Sequence, residues 1–496
     1  MINTISVALI SVFPLFFLFF IYANYKLNYW KRRGVEQLPN TDLFFGHFKN
    51  GVLFRTAPGL HLGKLHRAAK KDSPFVGFYI LHKPCLLLRE PEIIKQVLIK
   101  DFDKFPDRHF AGNGQKDSLG MKNLFGVKSP TWKVLRRKIT PVFTIGKIKQ
   151  MFPLMAEVGE NMTNYLKDQK IQQSGTRIID VQELNYKFTT DIIASIALGM
   201  ETDTFSYPDT EFSKFVSNMF HGFKRKVALV LLFFVPNLVE KIDSYILTNF
   251  NFIRKLFWTA IEERERIGSK RGDFIDSLVK LKNGEQNPVY KFERDNLIHQ
   301  LGVFFAGLES SSTTTSFTLM ELAKNKQCQD RAREDILRAI AEHGWGYEAI
   351  NDMKYLDQCF AEGLRLHPPV PTIDRVTRGE YKIPGTDIIL ESGTPIYISL
   401  YGLHDDPRFF EDAESFKPER FEKGEEIPTA YMPFGLGPRQ CIGMKLGQLF
   451  SKIVLSIILK DYEIHQNLED EYYLDSRSTL TTAANGIVLH LRKLET

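Results

Sequence analysis

The chain has 496 residues, of which 43% are hydrophobic and 12% aromatic, so it can bury a large core. Its formal net charge of +6 is modest for this length, and no nucleic-acid-binding motif appears, which excludes that class of partner. The four cysteines lie far apart without a CxxC pair, so we expect neither a disulfide framework nor a zinc site, and we expect a reducing compartment.

The N-terminal segment 5–25 is uncharged and rich in Phe, Leu and Ile, and it has the roughly 20-residue length of a membrane-spanning helix. A cleaved signal peptide is the alternative, but no basic residue precedes the apolar run and no small-residue cleavage site follows it. Four basic residues follow directly: Lys26, Lys31, Arg32 and Arg33. The positive-inside rule then places the remainder on the cytosolic side. We predict an anchor over 5–25, a polar hinge over 26–44 and one catalytic domain over 45–496.

Alternating apolar residues over 75–88 predict short strands, and strand patterns return at 379–399 and 472–493. From Pro91 onward the periodicity is mainly helical. The predicted helical segments are 91–100, 130–170, 178–200, 210–220, 240–268 and 295–341. The chain is therefore predicted to be mainly α with a small β region, an α+β fold.

A second apolar tract, Val227 to Leu238, is too short to span a membrane. It is either a segment that dips into the membrane or a core helix. Its basic leader, Lys224-Arg225-Lys226, favours a surface that touches anionic headgroups.

Asp295 to Lys326 contains no proline and predicts one long helix of roughly 48 Å. Gly307 lies within it, where a glycine costs about 1 kcal/mol relative to alanine. Two reasons for that glycine remain open: a close contact with another helix, or an opening in the helix beside a site.

Two further motifs are weak when taken alone. Glu362 and Arg365 lie three residues apart on one helix face, as many surface pairs do. Trp132 and Arg136 place an indole and a guanidinium on one helix face, which an ordinary surface helix would also explain.

Near the C-terminus, Phe434 to Gly443 places one cysteine between a glycine-rich turn and a predicted helix, Ile442 to Leu459. Gly435 favours a sharp turn, and Gly443 has no side chain to block a flat cofactor. Cys441 lies at the predicted helix start, where free N–H groups favour an anionic sulfur, and Arg439 adds positive charge. A small buried hydrophobe is the plain alternative for a lone cysteine.

These segments resemble, in the same order, those of the cytochrome P450 family of haem-thiolate monooxygenases. The pattern F-x-x-G-x-x-x-C-x-G is matched by Phe434, Gly437, Cys441 and Gly443. The pattern A/G-G-x-D/E-T-T/S is matched by the residues 306–309, but Ser310 replaces the usual threonine. Pro418-Glu419-Arg420-Phe421 is similar to the family's P-E-R-F segment.

The resemblance implies haem b with Cys441 as the axial thiolate ligand of the iron. It implies a proton relay through Glu309 and Ser310, and a buried structural triad of Glu362, Arg365 and Arg420. The other cofactor-binding residues that it implies are Arg439, Trp132, Arg136, Arg375, Phe434, Gly435, Gly443 and Ala306.

The activity implied is insertion of one atom of O2 into a lipid, steroid or xenobiotic, as in the broad-specificity animal microsomal members. Electrons come from NADPH through a reductase, and cytochrome b5 is a second donor. Basic residues near the haem motifs either dock that reductase or form a solvated face: Lys133, Arg137, Lys138 and Lys445. The resemblance also implies a monomer on the endoplasmic reticulum membrane, single-pass, with a cytosolic catalytic domain.

Pocket walls are expected from Phe102–Phe125, Phe220–Phe223, Phe304–Ser310, Val370–Ile373 and Thr482–Ile487. Because Ser310 departs from the family pattern, a haem-thiolate isomerase or peroxygenase that needs no reductase stays open as an alternative. A non-catalytic haem or lipid binder is a second alternative, from a different class.

Overall fold

The computed structural model describes residues 4–111, 122–239, 251–268, 270–467 and 469–495. Side chains are described for these residues except 4–13, 15, 220–221, 237 and 239. The first part of the predicted helix over 240–268 and the middle of the predicted 102–125 wall therefore lie outside the described residues.

The prediction of a mainly helical chain with a small β region is confirmed. In chain order the helices are α1 (Thr4–Leu27), α2 (Tyr29–Arg32), α3 (Lys49–Val52), α4 (Pro58–Ala68), α5 (Pro91–Lys95), α6 (Thr131–Ile139), α7 (Ile145–Asp168), α8 (Val181–Leu198), α9 (Glu211–His221), α10 (Phe223–Phe234), α11 (Pro236–Val239), α12 (Asn251–Ile267), α13 (Phe274–Asn283), α14 (Asp295–Ile298), α15 (Leu301–Lys324), α16 (Lys326–His343), α17 (Tyr347–Asp352), α18 (Lys354–Leu366), α19 (Leu400–His404) and α20 (Met444–Asp461).

The strands form three small sheets. They are β1 (Phe75–Ile80), β2 (Lys83–Leu88), β3 (Thr176–Asp180), β4 (Thr372–Val376), β5 (Tyr381–Lys382), β6 (Ile389–Leu390), β7 (Pro395–Ser399), β8 (Tyr462–His465) and β9 (Val488–Lys493). The four-stranded sheet has the order β1-β2-β7-β4, in which only the β2–β7 pair is parallel. The other two sheets have the orders β3-β9-β8 and β5-β6, and all of their pairs are antiparallel.

The centre of the helical region is α15, which packs against α8, α18 and α20. Its approach to α18 depends on Gly363, because a Cβ atom there would lie only 2.2 Å from Thr318 Oγ1. The glycine between Glu362 and Arg365 therefore allows α18 to pack closely against α15.

The predicted single helix over Asp295–Lys326 is wrong, because the chain forms α14 and α15 separately. Around His299 the backbone hydrogen bonds shift to three-residue spacing, as in the 3.1 Å bond from Gly302 N to His299 O. At the other end α15 stops at Lys324, since Asn325 has a ψ of 76° that a helix cannot continue. The predicted helix over 178–200 also begins later, because Asp180 ends β3 and caps α8.

The N-terminal part of the chain packs on the four-stranded sheet. Trp30, inside the predicted hinge, is fully buried against Gly77, where a Cβ atom would lie 2.3 Å from the indole Cγ. Among the described side chains, no helix is both long enough and apolar enough to cross a membrane. The bounds of the anchor, hinge and catalytic domain stay predictions.

The apolar tract at 227–238 forms α10 and part of α11. No described side chain of α10 is fully buried, but those of residues 227–234 are half-buried, so both alternatives stay predictions. Its last two residues contact the body of the protein, with the rings of Phe233 and Phe234 5.6 Å and 5.8 Å from that of Phe48. That α10 touches a membrane stays a prediction.

Candidate active site

One cavity lies between α15 and the loop that carries the cysteine. Every cofactor-binding residue predicted from the sequence lines it: Cys441, Arg439, Trp132, Arg136, Arg375, Phe434, Gly435, Gly443 and Ala306. These residues come from four distant segments, and the fold brings them to one place.

The cysteine loop is shaped by two glycines. Gly435 and Gly437 both have a φ of +74°, in the left-handed region that favours glycine. A Cβ atom at Gly437 would also lie 2.2 Å from Leu98 O. The backbone N–H of Cys441 donates to Phe434 O at 2.8 Å and closes the loop. The following helix begins at Met444, two residues later than predicted.

The thiol of Cys441 borders the cavity, and its environment disfavours the thiolate unless a positive charge compensates it. Burial raises its pKa, and the Gly443 N–H, Arg136 and Arg108 offset part of that rise. A thiolate here therefore gains from a directly bound metal cation, which is the role that the motif predicts.

Three buried guanidinium groups border the same cavity: those of Arg108, Arg375 and Arg439. Burial, together with mutual repulsion, lowers the pKa of Arg375 to about 9 and that of Arg439 to about 8. Within the described part of the chain, Arg108 Nε, Arg375 Nε and Arg439 Nη1 have no hydrogen-bond partner. This excess of buried positive charge and unused donors fits carboxylate groups bound in the cavity.

Arg108 was missed by the sequence reasoning. Its guanidinium lies 4.0 Å from Asp374, beside Arg375, and borders the cavity. The stretch around Arg108 also contains Asp101, Asp103, Lys104 and Asp107, so no local signal in the sequence set this arginine apart.

The helix α6 supports the cysteine loop from one side. Trp132 is buried, with its ring 4.4 Å from the guanidinium carbon of Arg439. Arg136 Nη1 donates to Gln440 O, next to the cysteine, at 2.9 Å. An ordinary surface helix is therefore the wrong reading of this motif.

The opposite wall of the cavity is formed by α15. A Cβ atom added to Gly307 would meet no atom within 4 Å, so the alternative of a close helix contact is wrong. The helix is nevertheless continuous through Gly307, so the predicted opening is not a break in it. Ser310 Oγ donates back to Ala306 O at 3.0 Å, and both residues border the cavity.

Glu309 lies elsewhere. Its carboxylate is buried in a second, polar chamber and pairs with Arg225 of α10 at 2.5 Å. Lys226, the next residue, pairs with Asp475 in the same chamber at 2.8 Å. The predicted partners Glu309 and Ser310 therefore face different spaces in this structure.

The structural triad forms as predicted. Arg365 makes two hydrogen bonds to Glu362, at 2.7 Å and 2.8 Å, and Arg420 Nε lies 3.3 Å from the same carboxylate. Glu362 and Arg365 are almost fully buried, so the network lies in the core and not at the cavity wall.

The predicted pocket walls are partly right. Apolar side chains of three predicted segments border the cavity: Leu124, Phe125, Phe304, Val370 and Ile373. Thr482 instead borders the polar chamber of Glu309, and Phe223 is 80% exposed to solvent.

The cavity fits a haem on its own chemistry. It has one thiol at the end of a glycine-shaped loop, an empty space at Gly307, and unused guanidinium donors for two propionates. Cys441 would bind the iron, and Arg108, Arg375 and Arg439 would hold the propionates.

The family model for Cytochrome P450 matches residues 43–490. Cytochrome P450 6k1 of Blattella germanica is 37% identical and covers 97% of this chain and 96% of its own length. Probable cytochrome P450 6g2 of Drosophila melanogaster is 34% identical and covers 98% of each chain. Probable cytochrome P450 6w1 of Drosophila melanogaster is 37% identical over 90% of each chain. This chain therefore belongs to the cytochrome P450 family, the oxidoreductases that use haem with a cysteine thiolate ligand as monooxygenases.

Proposed function

We propose that the enzyme inserts one atom of O2 into a lipid, a steroid or a foreign apolar compound. The observation that carries this proposal is the cavity between Cys441 and α15. Its apolar walls include Phe125, Phe304 and Ile373. Such walls stabilise an apolar ligand through buried area and leave the C–H bonds of that ligand beside the cofactor space.

The bound haem supplies the activation of O2, and the residues of the chain supply binding, orientation and protons. Ser310 has a hydroxyl group at the cavity wall, where it can pass a proton across the cavity. The carboxylate of Glu309 borders the polar chamber on the other side of α15, where it can exchange protons with solvent. Passage of a proton from Glu309 to Ser310 requires the carboxylate to leave Arg225.

The test is turnover by the purified holoenzyme with an NADPH-dependent reductase, O2 carrying an oxygen isotope label, and a lipophilic compound library. We first select ligands by the spin-state shift of the haem band on binding. We then expect each product molecule to contain one labelled oxygen atom, and we expect product to form only when NADPH is present. Product formed only with added peroxide, or an isomerised product without label, would overturn the monooxygenase proposal for this substrate class.

We also propose that the reductase docks on the surface beside α6. Arg137 and Lys445 are exposed, and Lys133 is exposed but paired with Asp103 at 2.8 Å. A positive surface near the cysteine loop favours an acidic partner protein. Arg137→Glu should slow NADPH-driven reduction and leave reduction by dithionite unchanged, and equal rates of NADPH-driven reduction in both proteins would refute this docking surface.

Finally, we propose that the chain is held on the endoplasmic reticulum membrane through α1, with the catalytic domain in the cytosol. Support comes from several half-exposed apolar side chains of α1: Phe16, Phe17, Leu18, Phe20 and Ile21. The basic residues that follow them favour the cytosolic side. The expressed chain should stay in the microsomal pellet after alkaline extraction, and release into the supernatant would refute the anchor.

A further inference from the structure

A buried histidine lies between the structural triad and the cysteine loop. His404 ends α19 and is 1% exposed, and neither the catalytic cavity nor the triad itself includes it. Its ring stacks on Tyr431 with centroids 5.6 Å apart. A phenylalanine would satisfy this apolar contact, so the two ring nitrogens need another explanation.

Each ring nitrogen meets a backbone group from a different segment. Nδ1 lies 3.1 Å from Arg365 O, which can only accept a hydrogen bond. Nε2 lies 3.3 Å from Met432 N, which can only donate one. The two bonds together require the neutral imidazole with its proton on Nδ1. In agreement, burial lowers the pKa of His404 to about 3.

The bond to Arg365 is reciprocal. Arg365 Nη1 donates to His404 O at 2.8 Å, while the side chain of His404 donates to Arg365 O. Because Arg365 is held by Glu362, the position of the imidazole is fixed by the triad.

The bond to Met432 leads into the cysteine loop. Met432 O accepts from Gly435 N at 2.8 Å, and Phe434 O accepts from Cys441 N at 2.8 Å. Met432, two residues before the loop begins at Phe434, is thus held at its N–H by His404 and at its C=O by Gly435 of the loop.

We propose that His404 is a positioning residue for the thiolate ligand. Its two hydrogen bonds fix the loop of Cys441 in place relative to the Glu362–Arg365 pair. This role goes beyond the proposed substrate class and does not depend on it. Without the acceptor at Nε2, the N–H of Met432 is buried without a partner, and the loop relaxes into arrangements in which Cys441 no longer reaches the iron.

Two amide substitutions separate the two bonds. His404→Gln places an amide oxygen near the position of Nε2 and keeps an acceptor for Met432 N. His404→Asn places an amide nitrogen near the position of Nδ1 and keeps only the bond to Arg365 O. His404→Phe keeps the ring stacking and removes both bonds.

His47 provides a matched control in the β-rich region. Its Nε2 lies 3.0 Å from Leu38 O, and Tyr79 N donates to its Nδ1 at 3.0 Å, so it also links two backbone groups. It does not border the haem cavity. His47→Phe should therefore lower the unfolding temperature as His404→Phe does, without changing the iron ligand.

The measurement is the fraction of bound haem that gives the thiolate-type absorption band when the full-length holoenzyme is reduced under carbon monoxide. We expect His404→Asn and His404→Phe to lower the ratio of thiolate-ligated haem to haem without the thiolate about fivefold. This is the factor for one buried hydrogen bond of ~1 kcal/mol. His404→Gln and His47→Phe should stay near the unsubstituted protein.

The proposal fails if His404→Asn keeps as much thiolate band as His404→Gln. It also fails if His47→Phe loses the band to the same extent as His404→Phe at equal folded fraction. If His404→Phe does not fold, the Asn and Gln pair alone decides the outcome.

Discussion

The two faces of the central helix α15 differ in the size and charge of their side chains and in the groups that these side chains contact. Toward the cysteine, α15 has Ala306, Gly307 and Ser310, which are small and leave space. Toward the polar chamber it has Glu309, whose carboxylate is held by Arg225. Consecutive residues of a helix point about 100° apart, so one short motif serves both faces.

This difference indicates that the carboxylate of Glu309 and the hydroxyl of Ser310 lie in separate cavities of this structure. The serine is bonded within its own helix and faces the space for the cofactor, whereas the acid is tied to α10. Any transfer of a proton between them must therefore include a movement of Glu309 or of Arg225.

The strongest test of this comparison is Glu309→Gln, which keeps the size of the side chain and removes its charge. Loss of a group that transfers protons lowers turnover by about 10²- to 10⁴-fold. The reduced carbon-monoxide spectrum should not change, because Glu309 does not border the cavity. Unchanged product formation per minute would remove Glu309 from the proton supply.

A smaller effect is expected on the cavity face, where Ser310 lacks the methyl group of the family's usual threonine. Ser310→Thr restricts rotation of the hydroxyl and should lower the peroxide released per NADPH. Ser310→Ala removes the hydroxyl and should raise it. Equal peroxide release in the three proteins would show that the hydroxyl does not guide protons.

A third variant addresses the contact between the two helices. Arg225→Gln removes the cation that holds Glu309 in the polar chamber. Opening of that pair is a conformational step that masks the isotope effect of the proton transfer that follows it. We therefore expect the solvent deuterium isotope effect on turnover to become larger in the variant. An isotope effect equal to that of the unsubstituted enzyme would mean that opening of the pair is not limiting.

The smallest effect is expected from Gly307→Ala. The added methyl group meets no atom within 4 Å, and alanine favours a helix over glycine by roughly 0.5–1 kcal/mol. The free energy of unfolding of the haem-free protein should therefore rise by about this amount, measured by denaturant titration. A decrease would mean that this position is packed after all.

Prediction from the sequence worked best where the chemistry is local. The loop from Phe434 to Gly443 contains its own turn residues and its own candidate ligand within ten residues, so its resemblance to the family pattern could be recognised from one segment. Helix spacing indicated only the pair of Glu362 and Arg365 on one helix face, and the resemblance supplied Arg420 as the third member of the triad.

Prediction failed where partners meet only through the fold. Arg108 reaches the cavity because its loop packs against β4, more than 250 residues later in the chain. The partner of Glu309 lies on α10, and no periodicity pairs these two residues. The break between α14 and α15 contains no proline, and its one sequence signal, Gly302 at the second residue of α15, was not used.

The central claim is that Cys441 provides the thiolate ligand of a haem in the cavity below α15. The most direct test is the absorption spectrum of the purified, reduced protein under carbon monoxide, compared with that of Cys441→Ala. We expect the band of thiolate-ligated haem in the unsubstituted protein and its complete loss in the variant. The same band in both proteins, or a protein that stays colourless with ample haem, would contradict the account.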